Sequence, residues 1–188
     1  YLIKKRTNRA NIFFGLVTLI MGMNFMTESL MPLANSPSFQ NILKYLSNPV
    51  LGLLIGIILT GIFQSSSLVI GILEGLSTSS NISFLAGYTI ILGSNIGTCV
   101  TTLLSSITTS KTSKTVSMFH LVYNIVGVLF FLIGFYLLNY IFNFNFTYQN
   151  TNPIQIAFIH TIFILFFHSN WLVIRNNAEK KQRKRNRN

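Results

Sequence analysis

The sequence contains no aspartate, and only three of its 188 residues are acidic: Glu28, Glu74 and Glu179. A Ser-His-Asp triad is therefore excluded, and no paired carboxylates are available for acid–base catalysis. There is one cysteine, Cys99, which excludes an internal disulfide and any multi-cysteine metal site. No Gly-rich loop with a following lysine is present, so nucleotide hydrolysis has no motif here. Charge of either sign is scarce. Charged residues make up 9% of the chain, against about a quarter in a soluble domain.

What is present is apolar. Half of the residues are hydrophobic, and the mean hydropathy is +0.53. Long apolar runs occupy Ile12–Leu33, Val50–Leu76, Ile82–Leu104, Val116–Phe142 and Ile154–Ile174. Each has the roughly 20 residues that a helix needs to cross a bilayer. The short alternating segments of a β-barrel are missing. The expected fold is all-α and polytopic. A basic flank (1–10) precedes a membrane domain (11–174), and a basic tail (175–188) follows it. The net charge of +11 reads as anchoring next to anionic lipid, not as a nucleic-acid surface.

Lys and Arg mark the cytoplasmic side of short loops. Lys4, Lys5, Arg6 and Arg9 precede the first run. Lys111 and Lys114 follow the third, and the tail carries seven more. Of the other two long connections, Ala34–Asn48 has only Lys44 and Asn143–Asn152 has none. Five full crossings would put the two basic ends on opposite sides. If one run enters and returns, both termini and the Lys111 loop share the cytoplasmic side. Val50–Leu76 is the candidate, because it carries "QSSS" (Gln64, Ser65, Ser66, Ser67) at its centre with Gly61 just before it. Irregular backbone at membrane depth persists only where protein or a water-filled cavity covers it. The expectation is about four crossing helices plus a re-entrant or broken hairpin carrying QSSS.

A second polar island, "GSNIGTCVTT" (Gly93–Thr102), interrupts the third run. Broken helices near the midplane are a common way to build a transport site. Free N–H groups at a half-helix N-terminus favour an anion. Amide and hydroxyl oxygens can take a hard cation. Gln64, Ser65–Ser67, Asn95 and Thr98 suit both tasks without a charge that is costly to bury. The competing reading is structural: Ser and Thr in membrane helices often bond back to the preceding turn. His120 and His160 read as capping or packing residues at helix starts. Glu74 reads as an interfacial carboxylate near the outer surface.

The ordered segments "TGIFQSSS", "ILGSNIGTCVTTLLSS" and "FHLVYNIVG" resemble the bacterial form of the sodium–phosphate cotransporter family. About 30 residues separate QSSS from G-x-N-I-G-T, and His-x-x-x-Asn (His120–Asn124) follows. The likeness extends over residues 11 to 170. It implies an alternating-access carrier in the bacterial cytoplasmic membrane, with inorganic phosphate as substrate and Na⁺ as coupling ion. No cofactor and no catalysis are implied. Gln64, Ser65, Ser66 and Ser67 would line the site, with Asn95, Gly97 and Thr98 facing it. The family unit has two QSSS repeats, and this chain shows one, more like the second. A second repeat or a second copy of the chain is the implied partner, along with membrane lipid. A non-transporting scaffold or sensor module, or a carrier of another anion, are the alternatives.

Overall fold

A computed structural model describes residues 2–79 and 82–167, and every described element is helical apart from one isolated bridge, Ser83 to Asn150. The helices are α1 (Leu2–Ala34), α2 (Pro37–Tyr45), α3 (Pro49–Phe63), α4 (Ser66–Ser79), α5 (Phe84–Ser106) and α6 (Lys111–Phe142). A 3₁₀ turn (Asn145–Tyr148) leads to α7 (Pro153–Phe167). Among the described residues, three stretches are long and apolar enough to cross a membrane: Arg9–Ala34, Phe84–Ser106 and Ser113–Phe142. The α2–α3 pair, bent by 114°, makes a fourth if counted as one span. The all-α, multi-span expectation holds. The basic tail, His168 and Trp171 lie outside the described residues.

Short polar side chains set the helix starts. Ser36, Asn48, Ser83 and Ser110 each accept a backbone N–H from the first turn of α2, α3, α5 and α6. Pro37 and Pro49 occupy the first turn after two of these caps, where a missing N–H costs nothing. Asn152 and Gln155 cap α7 reciprocally: Asn152 Oδ1 accepts from the Gln155 N–H at 2.9 Å, and Gln155 Oε1 from the Asn152 N–H at 3.1 Å.

The run Val50–Leu76 is broken where the polar cluster begins. Gln64 ends α3 in the left-handed region (φ 54°, ψ 23°), with its N–H donating to Thr60 O at 2.8 Å. Ser65 then starts α4: its hydroxyl accepts the Leu68 N–H at 3.2 Å.

The glycine contacts give the helix directions. Gly52 of α3 packs on Thr89 of α5, Gly56 on Ile90 and Ser94, and Thr60 on Gly97. Residue numbers rise together, so α3 and α5 run parallel. The chain between them must therefore turn back, and α4 is the returning limb of a hairpin with Gln64 and Ser65 at its tip. Hydrogen bonds at one end agree. Ser47 Oγ at the α2–α3 corner lies 3.0 Å from Ser83 Oγ at the start of α5. The Phe84 N–H donates to Gln149 O and the Thr151 N–H to Ile82 O, each at 2.8 Å.

The remaining directions follow. Met26 and Leu30 of α1 meet Gly71 and Gly75 of α4, so these two are parallel. α6 opposes α5: Tyr88 donates to Phe131 O at 2.7 Å, and Ser117 Oγ to Thr102 O at 3.4 Å. α7 opposes α6, with the Phe131 and Phe163 rings 5.0 Å apart and Tyr123 donating to Phe167 O at 3.2 Å. Arg9, Lys111 and Lys114 thus share one end of the bundle, and α7 runs toward it. Lys44 lies at the other end.

α5 is the central helix, with Leu85 through Ser94 all buried. α1 and α6 expose large apolar side chains such as Phe13, Phe14, Val126 and Ile133. In lipid, association rests on close packing at small residues instead of apolar burial. The Gly52, Gly56, Gly93 and Gly97 seam supplies that contact, since a Cβ at Gly93 would collide with the Leu53 carbonyl.

Candidate functional site

The hairpin tip and α5 to α7 enclose a cavity of about 530 Å³. Ser66 and Ser67 line it from the first turn of α4, and Asn95 and Thr98 from the second half of α5. His120, Tyr123 and Asn124 enter from α6, and His160, Phe163 and Phe167 from α7. Among the described residues, no Lys, Arg, Asp or Glu lines it.

Local bonding explains what each wall can offer. The N–H groups of Ser66 and Ser67 occupy the opening positions of α4, where an α-helix has no internal acceptor. The helix dipole is positive there. Asn95 Nδ2 donates to Ile91 O at 2.8 Å, and Thr98 Oγ1 to Ser94 O at 3.1 Å. Asn124 Nδ2 donates to His120 O at 3.0 Å. These back-bonds hold the side chains in place and fill one donor each. The amide and hydroxyl oxygens keep lone pairs for a cation.

The seven sequence candidates do not share one surface. Ser66, Ser67, Asn95 and Thr98 meet in the cavity. Gln64 lines a neighbouring cleft of about 390 Å³ with Thr101, Thr102, Ser105, Ser106, Thr109, Ser113 and Ser117. Every described residue around that cleft carries an uncharged hydrogen-bonding side chain. Ser65 caps α4 at the tip. Gly97 sits on the α3–α5 seam against Ile57 and Thr60, and its lack of a side chain is what allows the approach.

Eight of the described lining residues were not assigned to the site from sequence, His120, Asn124 and His160 among them. His120 and His160 lie well inside α6 and α7, the former nine residues past Lys111 and the latter seven past Pro153. They do not start helices, because the Ser110 and Asn152 caps set those starts further upstream. The signal was the i, i+4 spacing of His120 and Asn124, which puts both on one face of a helix. Among the described residues, no group of three or more His, Cys, Asp or Glu side chains could hold a metal ion.

The family model described as Na⁺/Pi-cotransporter matches residues 18–173. The chain is 35% identical over 83 residues to Uncharacterized protein YqeW of Bacillus subtilis (strain 168), covering 44% of this chain and 27% of that one. It is 42% identical over 59 residues to Sodium-dependent phosphate transport protein 2B of Homo sapiens, and 44% over 59 residues to Sodium-dependent phosphate transport protein 2A of Rattus norvegicus. Those two matches cover 31% of this chain and 9% of each relative. The chain thus spans only a minor part of the curated relatives it matches. No solved structure matches.

Proposed function

The chain belongs to the Na⁺/Pi-cotransporter family, and we propose that it forms one repeat of a carrier that moves inorganic phosphate together with Na⁺. The observation that carries this is the cavity at the hairpin tip, where Ser66 and Ser67 at the start of α4 face Asn95 and Thr98. Phosphate is an anion, and burying it alone in a bilayer is costly. The α4 N–H groups, hydroxyls and amides donate to it. Na⁺ on the neighbouring oxygens offsets the remaining charge. The inward Na⁺ gradient and the membrane potential then drive uptake.

The bundle end bearing Arg9, Lys111 and Lys114 faces the cytoplasm of a bacterial cell, by the positive-inside rule. The α3–α4 hairpin then enters from outside. A second QSSS repeat, in the same protein or from a second copy, completes the unit. The chain acts as a carrier and not as an enzyme.

The test is uptake of labelled phosphate into vesicles containing the full-length protein or a dimer of this chain. Uptake that stops when choline replaces Na⁺ is the expected result. Uptake indifferent to Na⁺ removes the coupling, and no uptake from either preparation removes the carrier.

A further inference from the structure

The donors and acceptors around the hairpin-tip cavity are not interchangeable. Ser66 and Ser67 offer hydroxyls, and the start of α4 adds backbone N–H groups. A hydroxyl rotates and a neutral imidazole can turn, so the serines, His120 and His160 can each donate or accept. Asn124 cannot. Its Nδ2 donates to His120 O at 3.0 Å, four residues back on α6. Turning the amide over would set its oxygen against that carbonyl. Oδ1 is therefore a fixed acceptor. Asn95 and Thr98 are tethered in the same way on α5, and Asn124 is the more deeply buried, at 8% exposed.

Asn124 Oδ1 has no hydrogen-bond partner among the described residues. Among those residues the one sealed side-chain atom without a partner is Thr60 Oγ1, so Asn124 Oδ1 opens onto the cavity that the residue lines. A buried acceptor left unmatched is costly. Tetrahedral oxyanions of equal charge differ at this point. Hydrogen phosphate carries an O–H, and sulfate carries none. A bare oxygen would meet Asn124 Oδ1 lone pair to lone pair. A site built around a substrate hydroxyl rejects the analogue lacking it by roughly 10⁴-fold or more.

We propose that Asn124 selects the anion: its Oδ1 accepts the hydroxyl of phosphate, and oxyanions with no hydroxyl are turned away. The α4 N–H groups and the serines hold the unprotonated oxygens. Asn95 and Thr98, on α5, remain for the cation. This rests on the carrier reading above and gives its anion site a substrate class, a protonated tetrahedral oxyanion.

The experiment measures displacement of labelled phosphate from the full-length protein, or from a dimer of this chain, in lipid nanodiscs. NaCl is held constant, in alkaline buffer where phosphate is mainly divalent. The competitors are sulfate and monofluorophosphate. The latter keeps the phosphorus and the double charge and replaces the O–H by fluorine. In the wild type both are expected to compete at least roughly a hundredfold less well than phosphate. Asn124→Leu removes the acceptor. It is expected to weaken phosphate roughly ten- to a hundredfold and to weaken neither competitor, so that the gap closes. A wild type in which monofluorophosphate matches phosphate overturns the proposal and leaves the anion site standing. Equal weakening of all three anions by Asn124→Leu puts a cation or a water on Oδ1 and overturns it as well. If Asn124→Leu does not fold, Asn124→Ser decides, because its hydroxyl can donate as well as accept. Monofluorophosphate is expected to gain on phosphate in that variant, and an unchanged ratio refutes the selection. A wild type that binds no phosphate removes the anion site itself, and this proposal with it.

Discussion

Thr60 of α3 lies directly on Gly97 of α5: a Cβ added to Gly97 would stand 2.6 Å from the Thr60 Cβ and 2.9 Å from the Ile57 carbonyl oxygen. The second neighbour is backbone and cannot rotate away. Gly97→Ala is therefore expected to force the two helices apart and cost about 1–3 kcal/mol. Gly134→Ala, with nothing within 4 Å, is the control. Thermal melting in detergent checks both, and equal Tm values for the two variants would contradict the seam.

Thr60 carries a second consequence. Its hydroxyl is buried and, among the described residues, has no hydrogen-bond partner. Replacing an unsatisfied polar atom by a methyl of similar shape removes a desolvation penalty. Thr60→Val should raise stability by about 1 kcal/mol, read as a higher Tm. A lower Tm would mean that the hydroxyl has a partner in the membrane.

Gln64 separates backbone from side-chain roles. Its left-handed conformation costs a non-glycine residue about 1–2 kcal/mol. Gln64→Gly is expected to raise the Tm and to abolish phosphate uptake. Gln64→Ala should abolish uptake without that gain. Uptake by either variant at the wild-type rate would place Gln64 outside the transport path.

Ser65 and Ser66 should behave differently from one another. Ser66→Ala, like Asn95→Ala, removes a side chain that would hydrogen-bond the proposed anion. A hydrogen bond to a charged ligand is worth about 1.5–3 kcal/mol, or roughly ten- to a hundredfold in phosphate Kd. Ser65→Ala removes the α4 cap, and should cost about 1 kcal/mol of stability with a smaller effect on Kd. Phosphate titration and melting of the three variants check the division. Identical profiles would refute it.

The direction of α6 predicts sidedness. A cysteine at Thr109, in the α5–α6 turn, and one at Tyr148, in the 3₁₀ turn, are expected to react with an impermeant thiol reagent from opposite sides of sealed vesicles. Cys99 is fully buried and should stay unlabelled. Labelling of both positions from one side would mean that α6 does not cross the bilayer.

Much of the fold was legible as lengths and interruptions. The apolar runs Ile12–Leu33 and Val116–Phe142 reappear inside α1 and α6, and Ile82–Leu104 overlaps α5 from Phe84 onward. The QSSS cluster does stop a helix, because Gln64 leaves helical geometry there and Ser65 caps the next. The α2–α3 corner was not foreseen. Its cues, Asn48 followed by Pro49, are short-range capping chemistry inside what reads as a plain connection. The α4 and α5 walls of the candidate cavity were legible as residue types. The α6 and α7 contributions were not, since His120 and His160 gain their surroundings only when antiparallel helices bring them across from Ser66 and Asn95.

Ser94 and Asn95 mark the boundary between the two levels. Both donate to the same carbonyl, Ile91 O, at 2.7 and 2.8 Å, so their local chemistry is alike. Yet Ser94 is buried against Gly56 of α3, while Asn95 lines the cavity. The sequence by itself determined the solvent, the helices and the break, because hydrophobic run length and capping are properties of neighbouring residues. Only the tertiary structure decided which polar groups meet. Adjacent side chains on a helix point about 100° apart, and which direction is the cavity depends on where α3, α6 and α7 pack.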